Sequence, residues 1–179
     1  MRSILRHYLT GILFCFILVS LGCKGKSDPA FDGDTGEANV EELYKGYYQD
    51  PSNIDEEQQN MIIDYAIEKD INLTRLESGL YFLETREGMG PNLRWGEEVK
   101  VHYVGTYLDG KEFDSSYRRD VPLKVSVGAA IAGWNEALIR LQSGSKAIIV
   151  VPSRLGYRDR EYAGIPPNSV LVFELHVLI

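Results

Sequence analysis

Cysteine is almost absent from this 179-residue chain: there are two, Cys15 and Cys23, both within the first 23 positions. The rest of the chain can hold no internal disulfide and no cysteine-ligated metal, so apolar burial and hydrogen bonding must stabilise it. Histidine is nearly as scarce, with three residues, and both His102 and His176 fall in alternating stretches where they read as strand residues with polar partners rather than catalysts. No nucleophile stands beside a base, no cluster of ligating side chains occurs, and there is no glycine-rich phosphate loop, so neither a metal nor a cofactor is expected. Positive charge is short as well. Lys and Arg total 19 against 26 Asp and Glu, a net charge of −7 without a basic patch, which argues against a nucleic-acid partner.

Long apolar runs are missing too, with one exception. Residues 9–21 are apolar, follow Arg2 and Arg6, and end at Gly22-Cys23. A run this short reads as a signal-peptide core over residues 1–22. The segment VSLGC resembles a bacterial lipoprotein processing site, with Cys23 receiving the lipid, although Ser20 stands where an aliphatic residue is commonest. An ordinary signal peptide or an uncleaved anchor are the alternatives. The lipoprotein reading implies a membrane-anchored protein of the bacterial cell envelope.

What is present has a globular balance, 44% hydrophobic and 25% charged. Residues 23–52 are rich in Gly, Asp and Glu with little periodicity and read as a flexible acidic tether. Tyr44, Tyr47 and Tyr48 are the exception there: they either dock on the domain or belong to a short fluctuating helix. Residues 53–77 form a helical extension, with Asn53 or Asp55 as N-cap, acids in the first turn, and Met61, Ile62 and Tyr65 on one face. That stripe predicts packing on its own domain, with dimerisation as the alternative.

From Ser78 the period changes from helical to two. Strands are predicted at Gly79–Glu84, around Val99–Tyr107, at Lys111–Ser116, Pro122–Val127, Lys146–Pro152 and Val170–Leu178, with an Asp109-Gly110 tight turn. In the second of these, Val99, Val101, Tyr103, Gly105 and Tyr107 share one face. One helix runs from Gly133 to about Gln142, with Trp134, Leu138 and Leu141 on one side and Gly144 as its stop. The fold class is α+β: a twisted antiparallel sheet of about five to six strands on one short α-helix, with the N-terminal helical extension.

Three ordered motifs, VKVHYVGTYLDGKEFDSS from Val99, AGWNEAL from Ala132 and GIPPNSVLVFEL from Gly164, resemble the FKBP-type peptidyl-prolyl cis/trans isomerases. The resemblance covers residues 78–179 and implies that the domain binds proline-containing polypeptides, needs no cofactor, and is open to macrolide inhibitors. It implies a pocket with Trp134 as floor, Tyr103 and Phe113 as aromatic walls, and Ile165 and Phe173 as further apolar lining. Asp114 corresponds to a buried acid near the substrate carbonyl and Arg119 to its charge partner. Ile131, preceded by Ala130, matches the residue whose backbone N–H receives a substrate carbonyl, and the Tyr157 hydroxyl matches a second donor. Catalytic roles thus fall to Tyr103, Asp114 and Tyr157. Leu123 and Val125 line the site where relatives often carry aromatics, and Arg158 stands where many carry glycine. Lipidation falls to Cys23. The expected activity is prolyl isomerisation that assists folding of exported proteins; a peptide-binding chaperone or a structural envelope module with weak or no activity is the alternative.

Overall fold

The alternation around Tyr103 builds β3 (Glu98–Thr106), the strand with the most partners in the computed structural model, which describes residues 40–178. The leader, Cys23 and the tether as far as residue 39 lie outside the described residues. At the end of β3 the Tyr107 N–H donates to Lys111 O at 3.0 Å, and Gly110, at φ +82°, supplies the left-handed residue of the Asp-Gly turn. The chain returns as β4 (Glu112–Ser115), then β5 (Leu123–Ser126) pairs with the first half of β3. Helix α3 (Ala132–Leu138) follows, then β6 (Lys146–Val151), a 3-10 turn at Ser153–Leu155, and β7 (Leu171–Val177), which lies between β6 and β3. On the far side of β6 lies β2 (Tyr81–Arg86), edged by a two-residue β1 (Thr74–Arg75) too short to leave a periodic signal. Every pairing is antiparallel, in the order β1-β2-β6-β7-β3-β4 with β5 on β3.

Helix α3 is shorter than the periodicity predicts. Past Leu138 the Arg140 and Leu141 N–H groups bond three residues back, at 2.9 and 3.0 Å. The Leu141 and Ser143 carbonyls meanwhile turn outward to accept from Leu93 and Met89 at 2.9 and 2.8 Å, so the segment is drawn into the neighbouring loop and cannot continue the helix. Leu141 stays buried regardless.

Strand β6 reads Lys-Ala-Ile-Ile-Val-Val and is buried on both faces, so the sheet carries two cores. On one face Ala147, Ile149 and Val151 join Leu171, Phe173 and Leu175 of β7 beneath α3. Gly133 is the contact point: a Cβ there would lie 2.7 Å from Val151 Cγ1, so glycine lets α3 approach the sheet closely. On the other face Ile148, Val150 and Val172 pack with Tyr81 against the N-terminal helix α2 (Ile54–Glu68), through its Ile62, Ile63 and Ala66.

Asn53 is the α2 N-cap, its side chain accepting from the Glu56 N–H at 3.1 Å while the Glu56 carboxylate accepts from the Ser52 N–H at 2.7 Å, a reciprocal cap. The end of the expected tether is ordered on this face. A one-turn helix, α1 (Val40–Tyr44), buries Leu43 in the second core, and Tyr48 and Asn60 exchange backbone–amide hydrogen bonds at 2.9 and 2.8 Å. Low apolar content hid this because few side chains do the holding: Leu43 and Tyr47 on the second core, the Tyr48–Asn60 pair, and the Gln59 amide donating to Gly46 O.

Candidate active site

Strand β3 and the first core converge on a cavity of about 700 Å³. Its lining includes Tyr103 from β3, Phe113 and Asp114 from β4, Leu123 and Val125 from β5, Ala130 and Ile131 before α3, Trp134 on α3, Tyr157 and Ile165 from the loop after β6, and Phe173 from β7. Of the pocket residues that the resemblance implied, only Arg119 is absent from this wall, and it sits behind it on Asp114. Ala129, Tyr162 and Ala163 also line the cavity and were not anticipated.

Four aromatic rings frame the floor edge to face. Ring centroids lie 5.1 Å apart for Tyr103 and Trp134, 5.3 Å for Trp134 and Phe173, and 5.6 Å for Phe113 and Phe173, at 84°, 88° and 90°. Gly105 makes this possible, since a Cβ there would lie 2.6 Å from Phe113 Cζ. Trp134 is 4% exposed and belongs both to the cavity lining and to the first core.

Asp114 is the one carboxylate in the lining, and both of its oxygens accept hydrogen bonds. The Tyr103 hydroxyl donates to Oδ2, the Arg119 guanidinium to Oδ1, and the Ser115 N–H to Oδ1 at 2.8 Å. Arg119 also donates to the Tyr103 oxygen at 3.0 Å, closing a ring of three side chains. Burial pushes the Asp114 carboxyl up, but the bonds from Tyr103 and Arg119 outweigh it and hold the group below the usual carboxylate range. Burial, aided by the bond to Asp114, raises the Tyr103 phenol above its ordinary value. Asp114 is therefore ionised at neutral pH and bonded at both oxygens, which fits a role in fixing Tyr103 and Arg119 and not proton transfer.

Two donors at the cavity are unused. Neither the Ile131 N–H nor the Tyr157 hydroxyl has an acceptor among the described residues. Burial raises the Tyr157 phenol, with Tyr162 and Asp114 adding to the shift, so it remains a neutral donor. Its ring stacks on Tyr162 at 4.3 Å and 10°. The loop holding Ile131 is shaped by Asn135 on α3, whose Oδ1 accepts from the Gly128 and Ala130 N–H groups at 2.8 and 3.1 Å while its Nδ2 donates to Ala130 O at 2.7 Å. Asn135 was invisible in the sequence because it touches backbone alone; an asparagine one residue after a pocket tryptophan is the sole hint. The Tyr157–Tyr162 stack was within reach, as the two tyrosines bound the charged YRDREY segment.

His102 and His176 face each other across β3 and β7 on the face away from the cavity. Nδ1 of His102 shares a hydrogen bond with Ser116 Oγ at 2.9 Å, and Arg86 donates to Nε2 of His176 at 3.0 Å. Among the described residues no group of three or more His, Cys, Asp or Glu is arranged to hold a metal.

Residues 90–178 match the family described as FKBP-type peptidyl-prolyl cis-trans isomerase. The chain is 39% identical over 114 residues to the FKBP-type isomerase FkpA of Escherichia coli strain K12, covering 64% of this chain and 42% of that protein. It is 43% identical over 103 residues to the FKBP-type 22 kDa isomerase of the same strain, covering 57% and 50%. The chain thus spans half or less of these curated relatives. Among solved structures, that of Escherichia coli FkpA superposes with a TM-score of 0.63 at 32% identity, over 78% of this chain and 62% of that one. The structure of AtFKBP13 superposes with a TM-score of 0.57 at 34% identity, over 60% of this chain and 98% of that one.

Proposed function

Because this chain belongs to the FKBP-type peptidyl-prolyl cis-trans isomerase family, we propose that it isomerises X–Pro bonds in polypeptide clients without a cofactor or a covalent intermediate. The observation that carries this is an aromatic cavity with two unused donors and no free carboxylate. Rotation about the prolyl amide has a barrier of about 18–20 kcal/mol because the twisted state loses amide resonance. That state has a less dipolar carbonyl and is favoured over the planar ground state in apolar, water-poor surroundings. Trp134 would seat the proline ring, with Tyr103, Phe113 and Phe173 excluding water around it. Ile131 N–H and Tyr157 Oη are suited to hold flanking carbonyls on one side of the rotating bond. Each ~1.4 kcal/mol of preference for the twisted state gives about tenfold in rate.

The test is isomerisation of a short proline peptide by the full chain. Trp134→Ala is expected to lower kcat/KM at least tenfold. Tyr157→Phe, which removes one hydroxyl and little packing, is expected to lower it about threefold to tenfold with thermal unfolding unchanged. A wild-type rate equal to buffer would end the enzyme reading and leave the peptide-binding one. Macrolides are proposed to compete for the same cavity; Leu123 and Val125, smaller than the aromatics common in relatives, widen it on the β5 side.

We also propose that the protein works in the bacterial cell envelope, held by a lipid on Cys23. The charged start, short apolar core and Gly22-Cys23 junction support this. Cys23→Ser should abolish incorporation of labelled fatty acid; unchanged labelling would sink the anchor.

A further inference from the structure

Gln58 lies on α2, far along the chain from every cavity residue, and is 1% exposed. All the hydrogen-bonding capacity of its side-chain N–H₂ is used, and its oxygen is bonded. Nε2 donates to Ser153 Oγ at 3.0 Å and to Asn168 O at 2.9 Å, and Oε1 accepts from the Ser153 N–H at 2.9 Å. Ser153 opens the long loop between β6 and β7, and Asn168 closes it. One buried carboxamide therefore ties both ends of the loop that carries Tyr157 and Ile165.

The tie continues into the cavity wall through the backbone. The Arg158 N–H donates to Ser153 O at 2.8 Å, and the Asn168 N–H donates to Arg158 O at 2.7 Å. Arg158 is held between the two residues that Gln58 grips, in a left-handed conformation at φ +60°. Tyr157 precedes it. A second contact joins the same parts, Arg154 Nε to Asp55 Oδ1 at 3.5 Å. Gly79, at φ +86°, leaves room for it, since a Cβ there would lie 2.0 Å from Arg154 Nη2. Loops of this length order themselves poorly alone, and a ligand that needs one ordered arrangement loses apparent affinity in proportion to the time spent in others.

We propose that Gln58 is a positioning residue for the prolyl site: by clamping Ser153 and Asn168 it holds Tyr157 and Ile165 in the binding arrangement, so the N-terminal helix is a working part of the pocket. This rests on the isomerase reading above. It assigns to α2 a task other than packing, since Ile62, Ile63 and Ala66 already fasten the helix to the sheet.

The test is Gln58→Leu in the full chain, which keeps the bulk and removes the three bonds. The expected result is a KM for a proline peptide raised about tenfold with kcat within twofold, and Arg158 and Asn168 amide hydrogens exchanging at least tenfold faster. The Gly144 amide, bonded to Val177 O at 3.0 Å, should exchange as before. If Gln58→Leu does not fold, Ser153→Ala removes one partner alone, with an expected twofold to threefold rise in KM. A folded variant with lowered thermal stability but unchanged KM and unchanged exchange at Arg158 and Asn168 would overturn the proposal. Should the wild type turn over no peptide, the isomerase reading fails by itself, and the amide exchange still decides whether Gln58 orders the loop.

Discussion

On the α2 face of the sheet, aliphatic side chains such as Ile62, Ile148, Val150 and Val172 are buried against one another, whereas on the α3 face Tyr103, Phe113, Trp134 and Phe173 frame a cavity. Both faces belong to the same strands, and on β6 successive residues alternate between them. Branched aliphatic chains interlock and give stability through the area they remove from water. Rigid rings in edge-to-face contact hold one another apart, so the space between them persists without a ligand. The sheet thus separates adhesion from recognition, and Gln58 is where the separation is crossed.

The largest effect should come from cutting the adhesive face on its sheet side, with every residue of α2 kept. Val150 is fully buried between Tyr81 and Val172. Val150→Ala is expected to cost about 2–3 kcal/mol in urea unfolding, from two lost methyl groups and the cavity they leave. At a temperature well below unfolding, KM for a proline peptide should stay within twofold of wild type. A KM that rises with the loss of stability would show that the two faces are not separable.

Acid should sharpen the same contrast, because the faces hold groups that titrate in different windows. On the α2 side of the sheet, burial, Arg86, Lys146 and His102 all lower the His176 pKa below 6.5. The folded state therefore prefers neutral His176; its contribution is complete above about pH 6.5 and is lost as pH falls from there through the folded value. Glu174 on the same face opposes this, as burial raises its pKa above 4.5 and the fold gains from its protonation. Asp114, on the cavity side, has a folded pKa below 3.8, so its contribution is intact above about pH 3.8 and fades only below it. The check is the difference in unfolding free energy between wild type and His176→Gln across pH 7 to 4, which cancels Glu174. Wild type should lose stability relative to the variant over that range, while kcat/KM holds until Asp114 protonates. A flat difference would remove His176 from the account.

The cavity side was the more legible of the two in the sequence. Period-two alternation gave β3 its inward face, whereas the lining residues came from the resemblance to the FKBP-type family, which the order of aromatic strand, FD, GW and IPPN carries. The apolar stripe foretold that α2 packs on the sheet but not its face: Ile62 is buried with Ile63 and Ala66, Tyr65 is partly buried at the edge, and Met61 is 50% exposed. Gln58 and Asn135 could not be read this way. Their partners lie in distant or irregular segments, backbone groups of Ser153, Asn168, Gly128 and Ala130 and the Ser153 hydroxyl, and a polar side chain in a helix looks the same whether it meets solvent or a loop. The early end of α3 has the same origin, in carbonyls that loop residues 88–93 draw away.

The smallest effect concerns a loop that both faces share. Arg158 at φ +60° occupies a conformation that costs a non-glycine residue about 1–2 kcal/mol. Its backbone bonds to Ser153 and Asn168 do not depend on the side chain, and its guanidinium has no ion-pair partner among the described residues. Arg158→Gly relieves the strain but adds about 0.5–1 kcal/mol of unfolded-chain entropy. The net expectation is a stabilisation of up to about 1 kcal/mol in urea unfolding, with KM unchanged because Gln58 still holds the ends of the loop. If KM instead rises severalfold in a chain at least as stable as wild type, the Arg158 side chain itself takes part in binding, and the clamp alone does not account for the order of the loop.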